Sequence, residues 1–270
     1  MSRITVLLVL LLGLAVALIS IDRAAIADFL AGPKAAQNSP APAPQAPVAR
    51  EVALQSDLYS FDYVYPVQAA AIPGLAGLLD RRIEKAKVRL ESEAMEARKQ
   101  ARANNYPFQP HYFDLGWSVA ADLPGWLSLQ SSVQTYGGGA HPNQHFDTLL
   151  WDRKQGRALA PLELFTSAEA LDAALHERYC GALEKERAER REVSIAEVRQ
   201  DEMWACPGVA DLTVVLETKG GKAFDTILLL AAPYIAGPYV EGSYETELAV
   251  DGAVLDAVKP EFRAVFQAKR

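Results

Sequence analysis

The hydrophobic pattern opens with an uninterrupted apolar run over residues 4–21 (ITVLLVLLLGLAVALISI), 18 residues without a charge, preceded by Arg3 and followed by Asp22 and Arg23. That is about the shortest run that spans a bilayer as a helix, and its length predicts an uncleaved signal anchor. A cleaved signal peptide is the alternative, because Ala25, Ile26 and Ala27 form a small-x-small site just downstream. Both readings export the rest of the chain. Arg3 and the amino terminus bias the N-terminus towards the cytoplasm. The expectation is therefore an inner-membrane anchor with its domain in the periplasm, or a secreted or periplasmic protein after cleavage near Ala27. No cysteine follows the run, which excludes a lipoprotein. Residues 28–56 lose all periodicity, with Pro33, Pro40, Pro42, Pro44 and Pro47 among many alanines. They read as a semi-rigid, extended linker.

Residues 57–270 carry the pattern of one folded domain. Tyr59, Phe61, Tyr63 and Tyr65 alternate with Ser60, Asp62 and Val64, a strand with an aromatic face. Pro73 and Gly74 then open a long helix: Leu75, Leu79, Ile83, Ala86, Leu90, Ala94, Ala97 and Ala101 recur at three- and four-residue steps until Asn104 and Asn105. Strand-like segments follow at 112–121, 126–136 and 145–152, separated by Leu123-Pro124-Gly125, a glycine run and Gln155-Gly156, which suggests an antiparallel meander. Thr166 with Glu169, and Ser194 with Glu197, are capping-box signatures for two further helices. Strands are expected again at 211–217, 224–231 and 243–250, before a C-terminal helix interrupted by Pro260. Strand runs with helices inserted between them predict an α+β fold: antiparallel sheet with one long and several shorter helices packed on it.

Charge narrows the partners. Beyond residue 50 the chain holds 23 Lys/Arg against 32 Asp/Glu, a net charge of −9. Nucleic acid is excluded as a partner on that field, and the densest basic run, residues 185–191, alternates with glutamates like a solvated helix face. The two cysteines, Cys180 and Cys206, are too few and too far apart for a zinc ribbon or a redox C-x-x-C. In an oxidising compartment they would close a loop of about 27 residues, which the chain-entropy model values at roughly 3.5 kcal/mol. The alternative is two buried thiols.

Known chemistry is sparse. There is no G-x-G-x-x-G, P-loop or H-E-x-x-H stretch. His141 and His145 have a metal-like spacing, but Pro142 blocks the helix that would place them on one face. His176 and Cys180 fall in an amphipathic helix, and Gly116-Trp117-Ser118 lacks the second glycine of a nucleophile elbow. No catalytic residue, metal or cofactor is expected. The strongest local signal is Thr135-Tyr136-Gly137-Gly138-Gly139-Ala140-His141-Pro142. Three glycines in a row cost backbone entropy, so they answer a need for positive φ or for close approach by another backbone. A wide hairpin connection and a ligand-binding loop formed by Tyr136, Gly137, Gly138, Gly139 and His141 both fit.

This block, followed by Phe146-Asp147 and Leu162-Glu163-Leu164-Phe165, resembles the extracytoplasmic domain of RsiV-type, lysozyme-sensing anti-sigma factors. Pro233-Tyr234, Gly237-Pro238-Tyr239 and Glu241-Gly242 resemble that domain's second signature. The resemblance implies an exported α+β domain also found beside the catalytic domain of some peptidoglycan deacetylases. Only Met1, Ser2 and Arg3 precede the apolar run, so no cytoplasmic segment that could hold a sigma factor is expected, nor is a separate deacetylase domain. What remains is a non-catalytic envelope binding or sensing module, its ligand a protein such as lysozyme or a peptidoglycan fragment, with membrane contact through residues 4–21. The alternative is a polymer-modifying hydrolase or transferase without a recognisable motif. On either reading the linker leaves the cytoplasm. Alkaline phosphatase fused after Ala49 is expected to be active in whole cells, and a well-expressed but inactive fusion would refute export.

Overall fold

The computed structural model describes residues 47–268, Glu202 excepted. The apolar run and most of the Pro/Ala linker lie outside that range. No helix among the described residues is long and apolar enough to cross a membrane. The chain is α+β. Six strands form a sheet in the order β1 (Arg50–Gln55), β2 (Tyr59–Tyr65), β3 (His111–Leu123), β4 (Trp126–Tyr136), β5 (Asn143–Asp152) and β6 (Arg157–Leu159). Every pairing is antiparallel except β2 with β3, which run parallel. Parallel neighbours need a crossover, and the helical turn α1 (Val67–Ala70) and the long helix α2 (Pro73–Ala103) supply it. The edge strand β1 falls within the stretch that sequence pattern assigns to the linker. Its residues are almost all exposed, so no alternation announces it.

α2 starts where Pro73 pre-sets the first turn and ends at Asn104, followed by Asn105 in the left-handed region (φ 57°). Its buried stripe is Leu75, Leu79, Ile83, Leu90, Ala94 and Ala101, of which Leu75, Leu79, Ile83 and Leu90 pack on the aromatic face of the sheet with Phe61, Tyr63, Phe113, Leu115, Trp117 and Leu129. Phe61 and Phe113 stack at 5.3 Å, and the Trp117 indole donates to the Tyr63 hydroxyl at 2.8 Å. The first turn of α2 rests on Trp151: a Cβ on Gly74 would come within 3.1 Å of that indole.

A bulge between Val119 and Ala121 reverses the alternation of β3. Val119 packs with the α2 side, whereas Ala121 and Leu123 join Trp126 in a second core on the opposite side. That core holds a three-stranded antiparallel sheet, β7 (Thr213–Glu217), β8 (Thr226–Ala231) and β9 (Tyr244–Ala249), and the helix α3 (Ala168–Arg191). Leu171, Leu175, Tyr179 and Leu183 of α3 cover one face of this sheet; Val215 and Leu228 turn the other towards Ala120 and Phe146 of the large sheet. Ser167 caps α3 by accepting from the Ala170 N–H, one residue after the predicted Thr166, whose hydroxyl instead donates to the Ala257 carbonyl. The predicted Ser194/Glu197 box does form, on the short helix α4 (Ile195–Val198). Helix α5 (Gly252–Ala257) and a 3-10 turn (Pro260–Val265) close the chain.

The C-terminal end of α3 departs from its reading as a solvated face. Arg187 is only 3% exposed, and its guanidinium donates to three carbonyls: Ala236 at 2.8 Å, Trp204 at 2.7 Å and Ala205 at 3.3 Å. Arg191 pairs with both Glu241 and Asp201 at 2.7 Å, and Arg190 donates to the carbonyls of Glu241 and Ser243. Cys180 and Cys206 form a disulfide, with Cα atoms 5.7 Å apart. One helix end thus fastens two loops, 199–208 and 232–243.

Arg187→Met, which keeps the volume of the stem but leaves those carbonyls without a donor, should lower unfolding stability by about 3 kcal/mol in denaturant titration. Acid should loosen the same joint. Burial works to raise the Glu241 carboxyl, but the hydrogen bonds from Arg191 and Tyr244 outweigh it and hold the group below the usual carboxylate range. A depressed folded pKa means the contribution is complete above the ordinary value of 4.5 and is lost as pH falls below it. Amide exchange in 199–208 and 232–243 should therefore accelerate below about pH 4, and Glu241→Gln should flatten that dependence.

Candidate functional site: the glycine loop and its tyrosine cluster

β4 and β5 stay paired up to Thr135 and Asn143, so residues 137–142 form the connection between them. The glycine run answers the conformational need and not the close approach. Gly138 and Gly139 have φ of 85° and 129°, and a Cβ on either would meet nothing within 4 Å. Gly137 sits over the His111 ring, where a Cβ would make only ordinary contact at 3.8 Å. Tyr136 folds back over the turn, its hydroxyl donating to the Gly139 carbonyl at 3.0 Å while its ring stacks on Tyr112 at 5.9 Å. The wide-connection reading thus describes the backbone.

The side chain of His141 leads to a partner 93 residues away. Its ring stacks on Tyr239, centroids 3.8 Å apart, and its Nε2 lies 3.2 Å from the Tyr234 hydroxyl. Nδ1 lies 2.8 Å from the Pro142 carbonyl, which can only accept. Nδ1 therefore carries the proton and Nε2 accepts from Tyr234. Tyr234 is held in the left-handed region (φ 73°), a conformation that costs a non-glycine residue about 1 kcal/mol or more and so marks a position fixed by its surroundings. The fixing is visible: the Tyr234 N–H donates to the Gly237 carbonyl, and the Ala236 carbonyl is held by Arg187. A Cβ on Gly237 would overlap the Glu241 carboxylate and crowd Tyr244, so a larger residue here would displace that carboxylate from Arg191.

Around these rings lies uncovered apolar surface. Tyr234 is 54% exposed and Val240 89%, with Ile235 and Met203 also in solvent. Arg191, bridging Asp201 and Glu241, keeps the 199–208 and 232–243 loops together at this end. Both ring nitrogens of His141 are occupied, by a carbonyl and a phenol, and among the described residues no carboxylate hydrogen-bonds the imidazole. The rings form an amphipathic cluster, apolar on their faces and polar at the Tyr234 hydroxyl and the imidazole nitrogens.

The other sequence-derived candidates separate. His145 lies on β5 facing α2 and does not converge with His141. His176, Cys180 and Cys206 lie close enough together to share an ion, but the disulfide occupies both sulfurs. Tyr234 and Tyr239 were visible in the sequence only as part of a resembling signature; nothing in their spacing announces His141 as their partner.

Comparison with known proteins bears on the N-terminal part of the domain. Residues 52–144, from β1 through α2 to the start of β5, match the family model described as "Deacetylase PdaC". No curated protein matches the chain. Among solved structures it is similar to a DUF3298-family member from Bacteroides fragilis, at 15% identity over 80% of this chain and 94% of that one, TM-score 0.48. A DUF3298-family protein from Pseudomonas aeruginosa is similar at 18% identity over 82% of this chain and 97% of that one, TM-score 0.44.

Proposed function

We propose that this chain is an exported, non-catalytic binding module of the cell envelope, and that the glycine loop with its tyrosine cluster is the surface on which it captures a partner. The observation that carries the reading is the pairing of His141 with Tyr234 and Tyr239 beside solvent-exposed Val240 and Ile235. Aromatic residues held rigidly in an exposed apolar patch lose little entropy on binding, and Tyr is among the residues that dominate interface energetics. The resemblance to the lysozyme-sensing domain supports a protein of that kind as the partner. A net charge of −9 beyond residue 50 would also draw in a basic protein. The family model matching residues 52–144 bears the name of a deacetylase, which favours an N-acetylated ligand, and the resemblance stated above makes a peptidoglycan fragment the second type considered. An anchor at residues 4–21 and the proline-rich linker would hold the module clear of the membrane.

The test is calorimetric titration of the full-length protein with hen lysozyme and with soluble peptidoglycan fragments. Tyr234→Ala and His141→Ala should each weaken capture by at least about 1 kcal/mol, roughly fivefold, with thermal unfolding little changed. Gly138→Ala should instead cost about 1–2 kcal/mol of stability, because φ of 85° is strained for alanine. Capture that is absent for both ligands, or unchanged in both variants, removes this surface from the function.

A further inference from the structure

A second site lies between α2 and the large sheet. Along the buried stripe of α2 the large side chains stop at Ile83 and resume at Leu90; between them the helix presents Ala86 to the sheet. Small replaces large for one turn, and the space remains open. It forms a cleft of about 300 Å³ floored by Tyr63, Phe113, Leu115 and Val133. Sharing Ala86, Arg89 and Phe113 with it, a second hollow of about 220 Å³ continues to Tyr136 and Gly137. The first alone is at the lower end of the ~300–1,000 Å³ typical of small-molecule sites.

The charge at this cleft opposes that of the domain. Arg82, Lys85 and Arg89 rise from α2 along the rim, facing His145 and Asp147 of β5. Arg82 is already paired with Asp147 at 2.9 Å. Lys85 makes no ion pair among the described residues, and Arg89 has only a distant one, 3.9 Å to Glu93. His145 keeps one side in solvent, and partial desolvation on the other, with Arg89 nearby, holds its pKa below the ordinary value despite the pull of Asp147. At neutral pH His145 is uncharged, able to donate at one nitrogen and accept at the other, and makes no hydrogen bond among the described residues. Two under-used cations one helical turn apart, a neutral imidazole opposite and an apolar, aromatic floor define complementary chemistry: one anionic group at the rim and an apolar or ring-shaped body below it.

We propose that the cleft between α2 and the large sheet binds a small carboxylate, with Lys85 and Arg89 on the carboxyl group, His145 donating to it, and Phe113, Leu115 and Val133 against the body of the ligand. Inorganic anions would leave that floor unused. The carboxylate could be that of a sugar acid or of a peptide terminus, and the experiment separates them. Full-length protein is titrated calorimetrically with N-acetylmuramate and with N-acetylphenylalaninate, each beside its neutral counterpart, N-acetylglucosamine and N-acetylphenylalaninamide. At least one acid should bind tenfold or more tightly than its neutral counterpart, and which acid does so identifies the source. Lys85→Ala with Arg89→Ala should remove that preference at unchanged melting temperature, both side chains being exposed. Ala86→Leu, which fills the cleft from the helix side, should abolish binding while the melting temperature holds or rises. Lysozyme capture by the tyrosine cluster should be untouched by these variants, so failure of one site leaves the other standing. Equal binding of acid and neutral counterpart in both pairs, or a preference that survives the double variant, overturns the proposal.

Discussion

The geometry of the exposed end of this domain depends on a buried cation whose hydrogen bonds, among the described residues, go to carbonyls and not to a carboxylate. Arg187 is taken out of water and its donors are met by the carbonyls of Ala236, Trp204 and Ala205. Burial, reinforced by Arg191 nearby, pushes its pKa down, though a guanidinium begins far above neutrality and stays charged. A carboxylate would neutralise the charge but fix a single point. Carbonyls from two separate loops fix both, and the cost of desolvation is offset only when all are in place. The conformations of 199–208 and 232–243 are therefore coupled: neither loop can leave without exposing the guanidinium's other contacts to rearrangement. Tyr234 and Tyr239 inherit their positions from this joint, and through them His141 does.

The disulfide reinforces the same joint covalently. Cys180 lies in α3 two turns before Arg187, and Cys206 ends the segment whose carbonyls Arg187 holds. Arg191 and Glu241 add a charged clasp on the far side, with Tyr244 donating to the same carboxylate. Irregular chain held in one conformation needs this concentration of ties, because the backbone of a loop has few internal hydrogen bonds of its own.

Sequence pattern revealed the local structure well and the long-range structure poorly. The α2 stripe was legible because a single face of one helix is buried over eight turns. The strands β3, β4 and β5 were legible because two-residue periodicity runs to clear turn signals. The parallel pairing of β2 with β3 was not, since nothing in either strand records which neighbour it accepts. The bulge at Ala120 was hidden for a similar reason: apolar residues continue on both sides of it, and only the core they join changes. At the site, the glycines and His141 stood out as an unusual string, whereas their tyrosine partners acquire meaning only from contact. Arg187 was misread because charge alternation in a helix normally marks solvent, and here one member of the series turns inward. Ala86 was read as one more apolar position; that its small size leaves a cleft depends on what faces it.

The edge strand β1 carries one further consequence. It is hydrogen-bonded on one side only, its side chains are nearly all in water, and Val52 alone joins it to the core. Its opening therefore costs less than that of its neighbour β2, which is paired on both sides and packed under α2. It is also the strand to which the linker is covalently joined. Force transmitted along the linker, or a protease working up it, meets this lightly held strand first, and can peel β1 away while β2 and β3 remain packed on α2. The attachment behaves as a mechanical fuse: it yields before the joint around Arg187 does.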